Sequence, residues 1–138
     1  MKSTPDTQYD SLIQCAIEAS KNAYIPYSKY AVGAALQATD GTVFKGCNVE
    51  NASYSPTICA ERTALVKAIS EGYREFEAVA VVTRDGGSPC GVCRQLMFEF
   101  APQMTVIIAD LEGKVHHVLP LSDLLPLGFG PSNLDTTS

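Results

Sequence analysis

From Asp10 to Tyr24 apolar residues fall at Ile13, Ala16, Ile17 and Tyr24 with polar residues between them. This spacing predicts a helix with one buried face, with Cys15 and the aromatics of the stretch in the core. After the "IPYSKY" loop come two apolar-rich runs, "AVGAALQAT" and "TVFKGCN", joined by Asp40-Gly41. Asp-Gly between such runs is a strong hairpin signal, so two antiparallel strands are expected. Ser55-Pro56 reads as an N-cap followed by a first-turn proline, opening a helix through Ala60, Ala64, Leu65, Ala68 and Ile69 that stops at Gly72. Phe76 to Thr83, "FEAVAVVT", has the continuous apolar pattern of a buried strand. Ser88-Pro89 repeats the cap and opens a helix past Leu96, Met97 and Phe100 to the break at Pro102.

"MTVIIAD" reads as another buried strand, "VHHVLP" as a strand with one buried face, and "LSDLLP" as a short last helix. The predicted order is α-β-β-α-β-α-β-β-α, an α/β fold with a mixed five-stranded sheet sandwiched by helices. Strands joined through a helix are expected to pair in parallel, and the short "DLEGK" turn makes the last two antiparallel if they are neighbours. All 138 residues fit one domain, with short polar tails at about 1–8 and 132–138.

Composition narrows the class. Hydrophobic residues make up 46% and charged residues 18%, a globular profile. No apolar run approaches the roughly 20 residues of a membrane span, and the first ten residues hold no signal-like apolar core, so a soluble cytoplasmic protein is expected. Asp plus Glu outnumber Lys plus Arg by 15 to 10, a net charge of -5, which offers nothing to a phosphate backbone and argues against nucleic acid as a partner. Five cysteines, an odd number, suggest thiols or metal ligands in a reducing compartment rather than a disulfide framework.

Three of those cysteines sit at the two Ser-Pro helix starts: Cys59 in "SPTICAER", and Cys90 with Cys93 in "SPCGVCRQ". A helix N-terminus favours thiolate over thiol, and three thiolates suit zinc, leaving a fourth position for water. Both helices follow strands that end at one edge of the sheet, which lets their N-termini face each other. Glu61, two residues after Cys59, can reach a metal-bound water without being a ligand, so it can move protons in a hydrolysis. His116 and His117 are adjacent on a strand, point to opposite faces, and read as structural or surface residues. Two other readings compete. Cys90-Gly91-Val92-Cys93 after a strand could be a thiol-disulfide exchange motif, which leaves Cys59 and Glu61 unexplained. A closed structural zinc could recruit Cys47 as fourth ligand.

A ligand-x-Glu segment followed by Pro-Cys-x-x-Cys is the signature of zinc nucleobase deaminases, and "CAE" and "PCGVC" match it. With "PYSKYAVGAAL", "FKGCNVENASYS" and "DLLPLGFGP", the chain resembles the small homotetrameric cytidine deaminases of pyrimidine salvage from about Leu12 to about Asn133. The resemblance implies one zinc per subunit on Cys59, Cys90 and Cys93, with Glu61 as proton shuttle. It implies hydrolysis of cytidine and 2'-deoxycytidine to uridine and 2'-deoxyuridine with release of ammonia. It further implies that Asn48 and Glu50 bind ribose, Glu50 repelling a 5'-phosphate, and that main chain around Ala60 and Cys90 orients the base. Tyr30 stands where many members have phenylalanine beside the pyrimidine, and its hydroxyl needs a partner if buried. Arg62 and Arg94 match arginines that donate to the zinc thiolates, and Phe129 an aromatic that reaches a neighbouring subunit's site in a homotetramer. Deaminases of another amino-heterocycle are the alternative. Polynucleotide-editing deaminases fit less well, because they need a basic groove and typically carry His where Cys59 stands.

Overall fold

The computed structural model describes residues 5–134. Its elements run α1 (Pro5–Ser20), β1 (Gly33–Ala38), β2 (Val43–Cys47), α2 (Ala60–Ser70), β3 (Phe76–Thr83), α3 (Gly91–Phe100), β4 (Thr105–Asp110), β5 (Val115–Pro120), α4 (Leu121–Leu124) and α5 (Pro131–Leu134). The strands form one sheet in the order β2-β1-β3-β4-β5. β3 and β4 pair in parallel; β1 is antiparallel to both its neighbours and β5 is antiparallel to β4.

Alternation along each strand sorts the core into two layers. Ala35, Ala78, Ala80, Val82, Ile107 and Ala109 pack under α1 with Leu12, Ile13 and Ala16. Leu36, Val79, Val81, Val106 and Ile108 face the other way, toward α2 and α3, with Leu65, Cys93 and Met97. Because neighbouring side chains point to opposite faces, the buried run of β3 from Ala78 to Thr83 shows that it is covered on both sides there, while Glu77 is exposed. Among the described residues no helix is long and apolar enough to cross a membrane.

Several sequence expectations need correction. The first helix ends at Ser20, and Tyr24 beyond it is 56% exposed rather than in the core, bridging Val49 through its backbone. α1 already starts at Pro5, inside the expected polar tail, and Pro131–Leu134 form a helical turn where a frayed tail was expected; residues 1–4 and 135–138 lie outside the described residues. Although α2 joins β2 to β3, these strands do not pair, because β1 lies between them and uses one edge on each. They still run the same way, and so end at the same edge of the sheet.

The Ser-Pro pairs do not cap their helices. The first ladder bonds are Thr63 N–H to Cys59 O and Arg94 N–H to Cys90 O, at 3.0 Å each, which makes the cysteines the N-caps. Residues 51–58 are turns instead, closed by the Val49–Ile58 bridge and by Asn51 Oδ1 accepting from Ser53.

Backbone approach fixes where these pieces sit. A Cβ on Gly33 would stand 1.9 Å from the Ala16 carbonyl oxygen, so β1 touches α1 through bare main chain. Gly33→Ala is expected to lower stability by about 3 kcal/mol, read by urea denaturation, since neither backbone can yield cheaply. Gly46 meets α2 in the same way, 2.5 Å from Ala60 O, and thereby holds the helix that carries the chemistry.

Candidate active site

Cys59 and Cys90 both stand at N-cap positions in extended conformation, and neither side chain caps its helix. The first-turn N–H groups are therefore left without a cap from either cysteine side chain. Cys93 occupies the third position of α3, and the N-cap and third positions of a helix lie on one side, within reach of each other, as in a capping box. The three Sγ atoms lie within 4.8 Å of one another, and those of Cys59 and Cys90 are 3.6 Å apart. Zinc–sulfur bonds of about 2.3 Å in a tetrahedron place ligands about 3.8 Å apart, so the donor set fits a zinc ion.

As acids these thiols compete. Cys59 is pushed down to about 6, chiefly because the Cys93 and Cys90 S–H groups donate to its thiolate and Arg62 lends positive charge; Cys93, surrounded by the same groups and buried, is pushed up. A cation shared by all three removes that competition, because a coordinating thiol is deprotonated outright. Arg62 offers a second sign of fit. Its Nε is buried with no hydrogen-bond partner, a donor beside a cluster whose ligated form, three thiolates on a dication, carries net negative charge.

Glu61, the second residue of α2, is 4% exposed. Burial first, then the Cys59 charge, raises its carboxyl to about 7. It lines a cavity of about 190 Å³ with Cys59, Ala60, Cys90, Tyr30, Val32, Asn48, Thr57, Val81, Thr83, Gly87 and Ser88. A wider cleft of about 480 Å³ holds Glu50 with Tyr27, Ser28 and Tyr54, and Thr57 lines both spaces. Sites for small ligands span roughly 300–1,000 Å³, a size the two reach together.

Asn48 and Glu50 are at work within the fold. Asn48 Oδ1 accepts from Val32 N–H at 3.0 Å and its Nδ2 donates to Tyr30 O at 2.9 Å. Glu50 accepts from the Tyr27 and Ser28 amides at 3.0 and 3.2 Å and from the Ser28 hydroxyl. The Ser28 hydroxyl, with those amides and Lys29, holds the carboxyl below its usual range, so it is anionic at neutral pH. A carboxylate has about four acceptor sites, and one remains. Tyr30's hydroxyl has its partner in Asp85 Oδ1, at 2.6 Å.

Residues 6–109 match the family model "Cytidine and deoxycytidylate deaminase zinc-binding region". The chain belongs to this family. The cytidine deaminase of Sporosarcina psychrophila is 48% identical over 128 residues, 91% of this chain and 93% of that protein. That of Halalkalibacterium halodurans is 49% identical over 127 residues, 90% and 96% of the two chains. The crystal structure of cytidine deaminase from Burkholderia pseudomallei superposes with a TM-score of 0.82 at 51% identity, covering 86% of this chain and 97% of that one.

The deaminase is thus a zinc-dependent hydrolase acting on C–N bonds, and the cysteine cluster at the two helix ends could hold its zinc. Cys47 is outside that cluster, in a separate recess with Lys45, Thr63 and Lys67, which removes the closed four-cysteine reading. Cys15 packs against the α1 side of the core, and His116 pairs with Asp110 at 2.9 Å. Arg94 departs from what the resemblance implies. Its Nε, Nη1 and Nη2 donate to Pro89 O, Leu124 O and Ser88 Oγ, at 2.8, 2.8 and 2.9 Å. Stationed behind the loop that carries Cys90, it braces that loop's backbone and bonds no sulfur among the described residues. Phe129 is 54% exposed and does not line the cavity; its carbonyl accepts from Gln95 Nε2 at 2.8 Å.

Sequence reading missed Ser28, Thr57, Thr83 and Asp85. Thr83 carried a signal: a lone hydroxyl ending an apolar strand at the edge of an α/β sheet, where ligand sites lie. The other three sit in loops whose polarity gave no sign of their direction.

Proposed function

We propose that the enzyme hydrolyses free cytidine and 2'-deoxycytidine to the corresponding uridines and ammonia, with Cys59, Cys90 and Cys93 holding one zinc per subunit and Glu61 moving protons. The observation that carries this is a buried carboxyl group, Glu61, lining one cavity with Cys59 and Cys90, whose sulfurs converge with that of Cys93. Zinc held there supplies the Lewis acidity that makes water a competent nucleophile near neutral pH. Glu61 takes one proton from the attacking water and gives it to N3 of the pyrimidine as C4 is attacked; it then takes the remaining proton from the new C4 hydroxyl and delivers it to the amine, which leaves as ammonia while the C4 carbonyl forms. Ala60, the first residue of α2, offers an N–H free of the helical ladder for orienting the base. Arg62 offsets the excess negative charge of the thiolates, which would otherwise hold the water's proton too tightly.

Asn48 and Glu50 are assigned to the ribose. Glu50's remaining acceptor site takes a sugar hydroxyl, while its charge opposes a 5'-phosphate. The exposed Phe129 ring supports a homotetramer in which it reaches a neighbour's cleft. Five cysteines with no disulfide between them among the described residues support a reducing, cytoplasmic setting. Assays on cytidine, deoxycytidine and cytidine 5'-monophosphate test this reading. Both nucleosides are expected to turn over, the nucleotide with kcat/KM lower by about 100-fold, and Glu50→Gln is expected to narrow the gap. Equal use of the nucleotide would overturn it.

A further inference from the structure

Tyr30 is tied at both ends. Its carbonyl accepts from Asn48 Nδ2, and its hydroxyl donates to Asp85 Oδ1 at 2.6 Å. The same carboxylate oxygen accepts from the Thr83 hydroxyl at 3.2 Å, and Thr83 Oγ1 accepts from Gly87 N–H at 2.8 Å. These bonds run in one direction, from Gly87 through Thr83 to Asp85, where the phenol arrives from the other side. Arg84 covers the ring with its guanidinium carbon 4.8 Å from the centroid. Gly87 leaves room for the phenol, since a Cβ there would stand 3.1 Å from its oxygen. Tyr30, Thr83 and Gly87 line the inner cavity, with Asp85 exposed behind them.

We propose that Asp85 is a positioning residue for substrate: by holding the Tyr30 hydroxyl it makes that side chain a strap across the cavity that receives the pyrimidine. The strap joins residues 25–32, where Tyr27 and Ser28 hold Glu50, to residues 84–88, which lead into Cys90. A phenylalanine would line the cavity but leave those segments unlinked. This inference rests on the reading of the cavity as a nucleoside site.

The test is KM and kcat for cytidine, with zinc content and Tm, for the parent, Asp85→Ala, Asp85→Asn, Tyr30→Phe and the Tyr30→Phe/Asp85→Ala pair. Asp85→Ala is expected to raise KM about fivefold while kcat changes less than about twofold. Asp85→Asn keeps an acceptor oxygen and should stay within about twofold of the parent. Once the phenol oxygen is gone, removing Asp85 should add no further KM penalty. Equal penalties from Asp85→Ala with and without that hydroxyl, an Asn variant as impaired as the Ala variant, or a loss in Tm with unchanged KM would each overturn the strap alone. A parent that leaves cytidine intact overturns the nucleoside reading, and the strap's role with it.

Discussion

Glu61→Gln is expected to lower kcat on cytidine by about a hundred- to ten-thousand-fold while zinc content and Tm stay near those of the parent. Gln fills the same volume in the first turn of α2 and can still hydrogen-bond, so the buried space around Glu61 keeps its packing. What it lacks is a proton that can be taken up and released, and positioned acid–base groups contribute rate factors of about that size. Removal of a merely helix-stabilising charge would act quite differently: a first-turn carboxylate is worth at most about 1 kcal/mol to helix stability and nothing to turnover. Steady-state kinetics at matched zinc loading separate the two outcomes. A Gln variant with near-parent kcat would remove Glu61 from the reaction.

Cys59→Ala is expected to abolish both zinc retention and turnover. Two sulfurs from one helix would be left, and the geometry that brings Cys59 within 3.6 Å of Cys90 joins separate helices, so its loss also unlinks α2 from α3 at the site. Because a ligand bound only by the folded state stabilises it by mass action, about 4 kcal/mol at a thousand times its Kd, the parent should melt at a lower temperature after chelation. In the variant, chelator should make no difference. Cys15→Ser and Cys47→Ser serve as controls, since neither sulfur belongs to the cluster. Metal analysis and thermal melts with and without chelator read the whole set. Full zinc in Cys59→Ala would contradict the ligand assignment.

How much of this was legible beforehand varies by element. The bounds of β3 and β5 agree with the sequence reading: β3 is a largely apolar run between polar turns, and β5 is confined between the Glu112-Gly113-Lys114 turn and the helix that starts at Leu121. Asp40-Gly41 formed its hairpin, with Gly41 at φ 94° and Asp40 Oδ1 accepting from Thr42 N–H at 2.9 Å. Helix starts were harder. Ser-Pro has the chemistry of a cap, but tertiary pairing of Val49 with Ile58 draws residues 51–58 into turns and delays α2 to Ala60. That delay moves Cys59 from inside α2 to its mouth, and the start of α3 at Gly91 does the same for Cys90. The insertion of β1 between β2 and β3 was likewise unreadable, because both edges of a buried strand look alike in sequence. Cysteine spacing made the convergence of Cys59, Cys90 and Cys93 readable, since few chemistries need three thiols and a carboxylate at two helix starts. The directions of Arg94 and the Asp85 partner of Tyr30 depended on loop geometry that spacing does not encode.

The most direct measurement is uridine formed from cytidine by chelator-stripped protein as zinc is returned stepwise. Turnover should rise in proportion to bound metal and level off at one ion per chain, with ammonia released in equal amount to uridine. A folded chain carrying one zinc on these cysteines that leaves cytidine unchanged would contradict the account at its centre.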